Sequence, residues 1–150
     1  MIKTYPSANC LAMIKRWEGL RLHPYICPAG VPTIGYGSTR YENGIPVTMH
    51  DAPITEAKAS SMLMKIAWKF ADEVCEMISV NLTQNQFDAL IDFAYNLGTG
   101  ALRHSTLLRL INAGETRHAA GEFVKWCKCN GKTNQGLLRR RTEEHDLFIA

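Results

Sequence analysis

Glu18, Cys27 and Thr33 stand in the spacing E-x8-C-x5-T within the stretch EGLRLHPYICPAGVPTIGYG, Glu18 to Gly37. A carboxyl group can give or take a proton, while a thiol and a hydroxyl can hold or activate a water, so the trio fits acid–base hydrolysis. A free thiol has a pKa of about 8.5 and is mostly protonated near neutrality, which makes it a weaker base than a carboxylate. Three roles are therefore open for Cys27: thiolate nucleophile, base for water, or polar group that positions water. The last two leave a task for Thr33, which would orient the same water on the face opposite Glu18. A Cys/His protease is the other chemistry to weigh, but no local cysteine-protease signature surrounds Cys27. Nothing distinguishes one of His23, His50, His104, His118 and His145 from the rest.

The trio must be positioned by a change of period. Leu11, Ile14, Lys15 and Glu18 follow helical spacing over about residues 9–20, a helix that the reading stops at Pro24. A Gly/Pro-rich, β-branched run then continues to about Val47, with Asn43-Gly44 as a tight-turn signal. From Thr55 to about Ile78, apolar residues at helical spacing predict a long helix with Thr55 as its N-cap. Thr83 and Gln86 form a capping box for a helix that ends at Gly98. Further helices are expected from Ser105, from Thr116 and after Leu137. The order predicts an α+β fold in one domain over 1–150: a β-rich lobe at about 9–54, a linking helix at about 55–80 and a helical lobe at about 81–150, with a cleft between the lobes.

On these residues the sequence resembles the phage-type lysozymes, glycoside hydrolase family 24, and among them the endolysins of lambdoid phages. The family pattern is a Glu, eight residues, an Asp or Cys, five residues and a Thr, filled here by Glu18, Cys27 and Thr33. EGLRL, TIGYG, FDALIDFAYNLGTGALRHSTLLRLINAG and GLLRRRTEEHDL also look like family segments, so the resemblance covers almost the whole chain. It implies a lysozyme-like fold and a muramidase that hydrolyses the β-1,4 bond between N-acetylmuramic acid and N-acetylglucosamine in bacterial peptidoglycan, with no cofactor and no metal. Glu18 would be the general acid, which calls for surroundings that disfavour its anion. Attack by water from the far face would invert the anomeric carbon. One of Arg139 to Arg141, with Arg140 or Arg141 preferred, would hydrogen-bond Glu18 and fix its rotamer; the competing reading is a solvated face pairing with Glu143 and Glu144. Many relatives carry His after TIGYG where this chain has Ser38, so the hairpin must be held in another way.

The substrate side of the cleft is expected from both lobes. Tyr36 could stack on a sugar, and Asp92 and Asn96, one helical turn apart, could hydrogen-bond the glycan or its peptide. A solvated helix face explains Asp92 and Asn96 as well. Trp126, beside Phe123 and Val124, reads as core rather than as a sugar platform.

Composition narrows the rest. The net charge of +3 suits an anionic polymer without naming it, and no helix carries a clear basic reading face for nucleic acid. Five irregularly spaced cysteines argue for reduced thiols rather than a disulfide framework, and Cys127-Lys-Cys129 has no companion pair to make a zinc site. Thr4, Ser7 and Asn9 interrupt any signal-peptide core, and no apolar run is long enough for a stable membrane insertion. A cleft that must accept a polymer predicts a monomer, and by resemblance the protein is expected to wait in the host cytoplasm until a holin opens the inner membrane. Two rival functions remain: a lytic transglycosylase, which closes an anhydro ring instead of adding water, and a catalytically silent wall-binding protein.

Overall fold

The computed structural model describes residues 4–150. Helix α1 runs over Ala8–Glu18; Ser7 caps it, its hydroxyl accepting from the Cys10 N–H at 3.1 Å. It ends where Gly19 adopts φ 70° and returns its N–H to the Lys15 carbonyl at 3.0 Å. Glycine, not Pro24, therefore stops this helix. Pro24 lies inside the following strand β1, Arg21–Ile26, which pairs antiparallel with β2, Pro32–Gly35. Tyr25 faces Thr33 and Arg21 faces Gly35, with the register irregular between Arg21 and Tyr25. A strand with one partner tolerates a proline there, because its missing N–H leaves only a local gap in the ladder.

Where relatives are expected to have His, Ser38 is buried and bonded through its backbone. Its N–H donates to the Ile34 carbonyl and its carbonyl accepts from the Ile34 N–H, both at 2.9 Å. A second bridge, Arg40 to Pro46, closes the 39–47 loop around Gly44. Main-chain pairing thus shapes this segment without a charged residue at position 38.

The long helix α2 spans Glu56–Met77 with Thr55 capping it, as the spacing predicts. Helix α3, Gln84–Leu97, carries the expected Thr83/Gln86 capping box and ends at Gly98. Short helices α4 (Thr99–Arg103), α5 (Thr106–Asn112) and α6 (Thr116–Ala120) follow, then a 3-10 turn at Phe123–Lys125. Strands β3 (Lys128–Cys129) and β4 (Lys132–Thr133) form a small hairpin, and α7 covers Gln135–Ile149 behind an Asn134 cap.

The eight consecutive residues Phe87 to Ala94 of α3 are all buried, so this helix has no solvent face over two turns. It is the axis of the main core, with α1, α2, α4 and α7 packed around it. A smaller cluster of Ile34, Val47 and Met62 fixes the β segment to α2. Helix α1 contributes Cys10 and Ile14 to the main core, which ties it to the helices rather than to the strands that follow. Phe93 packs edge-on against Trp126 at 5.4 Å between centroids, so this indole lies against the core.

An axial helix carrying two aspartates must pair both of them. Asp88 accepts from the Ser7 N–H at 3.1 Å, the Ser7 hydroxyl and Gln84 Nε2 at 2.8 Å, which docks the start of α1. Asp92, one turn later, takes a partner from α7.

Candidate active site

Glu18 sits at the last position of α1, where the helix gives way to β1, and its side chain is 19% exposed. Its Oε1 accepts from Arg140 Nη1 at 2.8 Å. The same guanidinium donates Nε to Asp92 Oδ2 and Nη2 to Asp92 Oδ1, each at 2.9 Å. Asp92 is fully buried, and the two parallel bonds lock the plane of Arg140 before Glu18 adds the third contact. Burial opposes the Arg140 charge, but Asp92 and then Glu18 more than compensate and push its pKa up. One positive charge is thus shared between two carboxylates, so Arg140 fixes the rotamer of Glu18 while its charge is already matched by Asp92.

Arg140 therefore takes the position that the resemblance divided between two arginines. Arg141 does not reach the cleft: it is fully buried, donates Nη2 to Glu144 Oε1 at 2.7 Å and lies 5.2 Å from the Phe93 ring centroid. A substrate contact for Arg141 is excluded by that burial. Asp92 is corrected in the same way, since both its oxygens face Arg140 inside the core. The ring of Tyr36 is buried too and packs in the main core, with Lys15 Nζ 5.3 Å from its centroid, so it offers no open sugar platform. Asn96 is half-buried, and its Oδ1 has no protein partner.

On the other side of Glu18 the backbone of the TIGYG segment closes in. Gly37 has φ 80°, and a Cβ built on it would lie 2.8 Å from Glu18 Oε2 and 3.5 Å from its Cδ. Glycine at this position satisfies both the left-handed backbone and the approach of the carboxylate. Gly37→Ala is expected to cost about 1–3 kcal/mol of stability from backbone strain. It should also lower kcat about a hundredfold by displacing Glu18. Thermal unfolding and initial rates on cell walls check the two effects separately.

Cys27 is half-buried in the turn between β1 and β2, where its N–H donates to the Val31 carbonyl at 3.1 Å. Its thiol is drawn below the usual value, first by the Val31 backbone amide and then by the Thr33 hydroxyl, against a smaller opposing effect of burial. The Ala29 and Cys27 amides add to the pull. Thr33 is buried, with its hydroxyl donating to the Val31 carbonyl at 2.8 Å. The structure therefore brings Thr33 and Cys27 together as the spacing implies, and it favours the thiolate more than a free cysteine would.

Tyr25 and Tyr95 complete the surroundings and were not singled out by sequence reasoning. Tyr25 is half-buried, and its phenol is pushed up by burial and then by Glu18, with Cys27 adding and Arg21 opposing. It lies within electrostatic reach of both groups and joins them along β1. Tyr95 donates its hydroxyl to the Tyr36 carbonyl at 2.6 Å, fixing the strand end that carries Gly37. The signal for Tyr25 was its place two residues before Cys27, on the same side of an extended chain. From Gly37 an open groove of about 740 Å³ runs along Tyr41, one face of α2 (Lys65, Lys69, Phe70) and Tyr95.

Residues 15–144 match the family described as phage lysozyme. The chain belongs to that family. A relative, the endolysin of Bacillus phage B103, is 43% identical over 138 residues, which are 92% of this chain and 51% of the relative. The chain thus spans about half the length of the curated relatives it first matches. Among solved structures, the endolysin from Escherichia coli O157:H7 phage FAHEc1 superposes with a TM-score of 0.89 at 39% identity, covering 97% of this chain and 94% of that one. The muramidase domain of SpmX from Asticaccaulis excentricus gives 0.83 at 33% identity, covering 97% of each chain. The α+β architecture is shared with this phage endolysin and this muramidase domain.

Proposed function

We propose that this protein is a phage endolysin acting as a muramidase, which hydrolyses the β-1,4 bond between N-acetylmuramic acid and N-acetylglucosamine. The observation that carries the reading is the Asp92–Arg140–Glu18 chain, which fixes the orientation of one carboxyl beside Gly37, the residue at which the groove begins. Membership of the phage lysozyme family, the endolysin names of its relatives and the muramidase name of one structural neighbour support it.

In this reading the glycan lies in the groove that begins at Gly37, and Glu18 protonates the glycosidic oxygen as the bond breaks. A water on the opposite face of the sugar donates to the Thr33 hydroxyl, whose own proton is given to the Val31 carbonyl, and to Cys27, which takes its proton as a thiolate. Asn96 on α3 keeps its amide oxygen enclosed, so a contact with the substrate would come from its amide nitrogen. No cofactor or metal enters this scheme. Among the described residues no helix is long and apolar enough to cross a membrane. The proposed setting is the host cytoplasm before lysis and, once a holin opens the inner membrane, the wall, where the enzyme works as a monomer on peptidoglycan.

Mass spectrometry of the fragments released from purified peptidoglycan tests the activity. Reducing muramic acid ends are expected. Anhydro ends would replace the hydrolase by a lytic transglycosylase, and retained wall binding without fragments would mean a binding protein. For the water-holding role, Cys27→Ala is expected to lower kcat about 10²–10⁴-fold, the contribution of a positioned base. Cys27→Asp should restore most of that loss, because the family pattern admits Asp at this place. Near-full activity in Cys27→Ala would make the thiol a spectator.

A further inference from the structure

Behind Arg140 lies a second layer of charge that no step above uses. Glu144 and Arg141 are both fully buried and joined by the 2.7 Å bond from Nη2 to Oε1. Arg141 Nε and Nη1 and Glu144 Oε2 have no protein partner. The side chain of Glu144, on α7, comes within hydrogen-bonding reach of Asp92 on α3, the residue that clamps Arg140. Two carboxylates that close cannot both stay ionised in a dry interior, because each raises the cost of charging the other. One proton between them removes the repulsion and gives the orphaned Oε2 a partner.

We propose that Glu144 is a positioning residue held in its neutral acid form, donating from Oε2 to Asp92 and accepting at Oε1 from Arg141, so that a relay Glu144–Asp92–Arg140 fixes Glu18. The charged groups that face it are Asp92 from α3 and Arg140 and Arg141 from its own helix. With Glu144 neutral, Asp92 is the one buried anion that shares Arg140 with Glu18. With Glu144 ionised, a second negative charge would stand beside Asp92 and compete for the guanidinium that orients Glu18. Burial, then the hydrogen bond with Asp92, holds the proton on Glu144 well above the ordinary carboxyl range, with Arg141 opposing.

A carboxyl whose folded pKa is raised binds its proton more tightly in the native state than in the unfolded chain. Its contribution to stability is complete below the unfolded value of about 4.5 and is lost as pH rises towards the folded value. Gln is the isostere of the neutral acid: its carbonyl accepts from Arg141 and its amide donates to Asp92 at every pH. E144Q should therefore gain stability relative to the natural protein as pH is raised through neutrality.

The effect on catalysis rests on the muramidase reading, but the protonation state does not, so the experiment separates them. Infrared difference spectra of the whole protein at neutral pH, natural sequence minus E144Q, should show the carbonyl stretch of a protonated carboxylic acid. In parallel, E144Q should keep kcat within about twofold, while E144A should lose about a hundredfold in kcat with little change in KM, as expected from misplacing Glu18. No protonated-acid band would overturn the proposal, and so would an E144Q protein as impaired as E144A. Either result would make Glu144 an ionised partner of Arg141. A band with no wall-cleaving activity in any variant would leave the buried proton standing and sink the muramidase reading.

Discussion

Glu18→Gln leaves a folded protein that binds cell walls and cleaves them about 10²–10⁴-fold more slowly, the usual contribution of a positioned proton donor. Gln keeps an oxygen for Arg140 Nη1, whose guanidinium remains held by both oxygens of Asp92. The stability change should therefore stay near 1 kcal/mol, the scale of one modified hydrogen bond. Circular dichroism melts and turbidity clearing of wall suspensions measure the two quantities on one preparation. Turnover close to that of the natural protein would remove Glu18 from the general-acid role, since no other carboxyl in the site is free to replace it: Asp92 is buried against Arg140.

The second large effect concerns stability. Asp92→Ala takes away two of the three carboxylate oxygens that accept from a guanidinium only 6% exposed, leaving Glu18 Oε1. Removing one partner of a buried ion pair costs about 3–5 kcal/mol, because the remaining charge is stranded in the interior. For a chain of this size each kcal/mol lowers Tm by about 2–4 °C. A fall of roughly 10 °C is expected, together with loss of activity as Arg140 no longer fixes Glu18. Asp92→Asn retains one acceptor and should fall between the two. If Asp92→Ala melted within a degree or two of the natural protein, the clamp would be ornamental and the rotamer of Glu18 would have to be set elsewhere.

How much of this was legible in the sequence depends on where each residue lies. Glu18, Cys27 and Thr33 stand at the end of a helix, in a turn and in a short strand, where spacing along the chain translates into spacing in the fold. The helix caps at Thr55, Thr83 and Ser105 were readable because a cap is a local bond between near neighbours. Asp92 was not, because helical periodicity distinguishes one face from another only when one face is wet. Helix α3 is dry all round over residues 87–94, so an aspartate that would mark a solvated face elsewhere is here an obligatory partner for a buried cation. The same limit explains Arg141 and Glu144. Their spacing of three residues suits an exposed pair on a helix surface, and only the packing of α7 on α3 puts them inside.

Local chemistry was also overlooked where it was present. The β3–β4 hairpin turns at Asn130-Gly131, both at positive φ, which is the same two-residue signal used for Asn43-Gly44. Gly19 carried the helix stop that the reading assigned to Pro24, and a proline in an edge strand looks, from sequence alone, like a boundary.

Water attacking from the face opposite a single oriented acid inverts the anomeric carbon, and the anomeric form of the first product reports that geometry most directly. Proton NMR of a soluble wall oligosaccharide, followed from the first minutes of cleavage with Glu18→Gln as the control, should show the α-anomer of the new reducing end appearing first, with none in the control. A β-anomer at first appearance, or an undiminished signal from the Glu18→Gln protein, would contradict it.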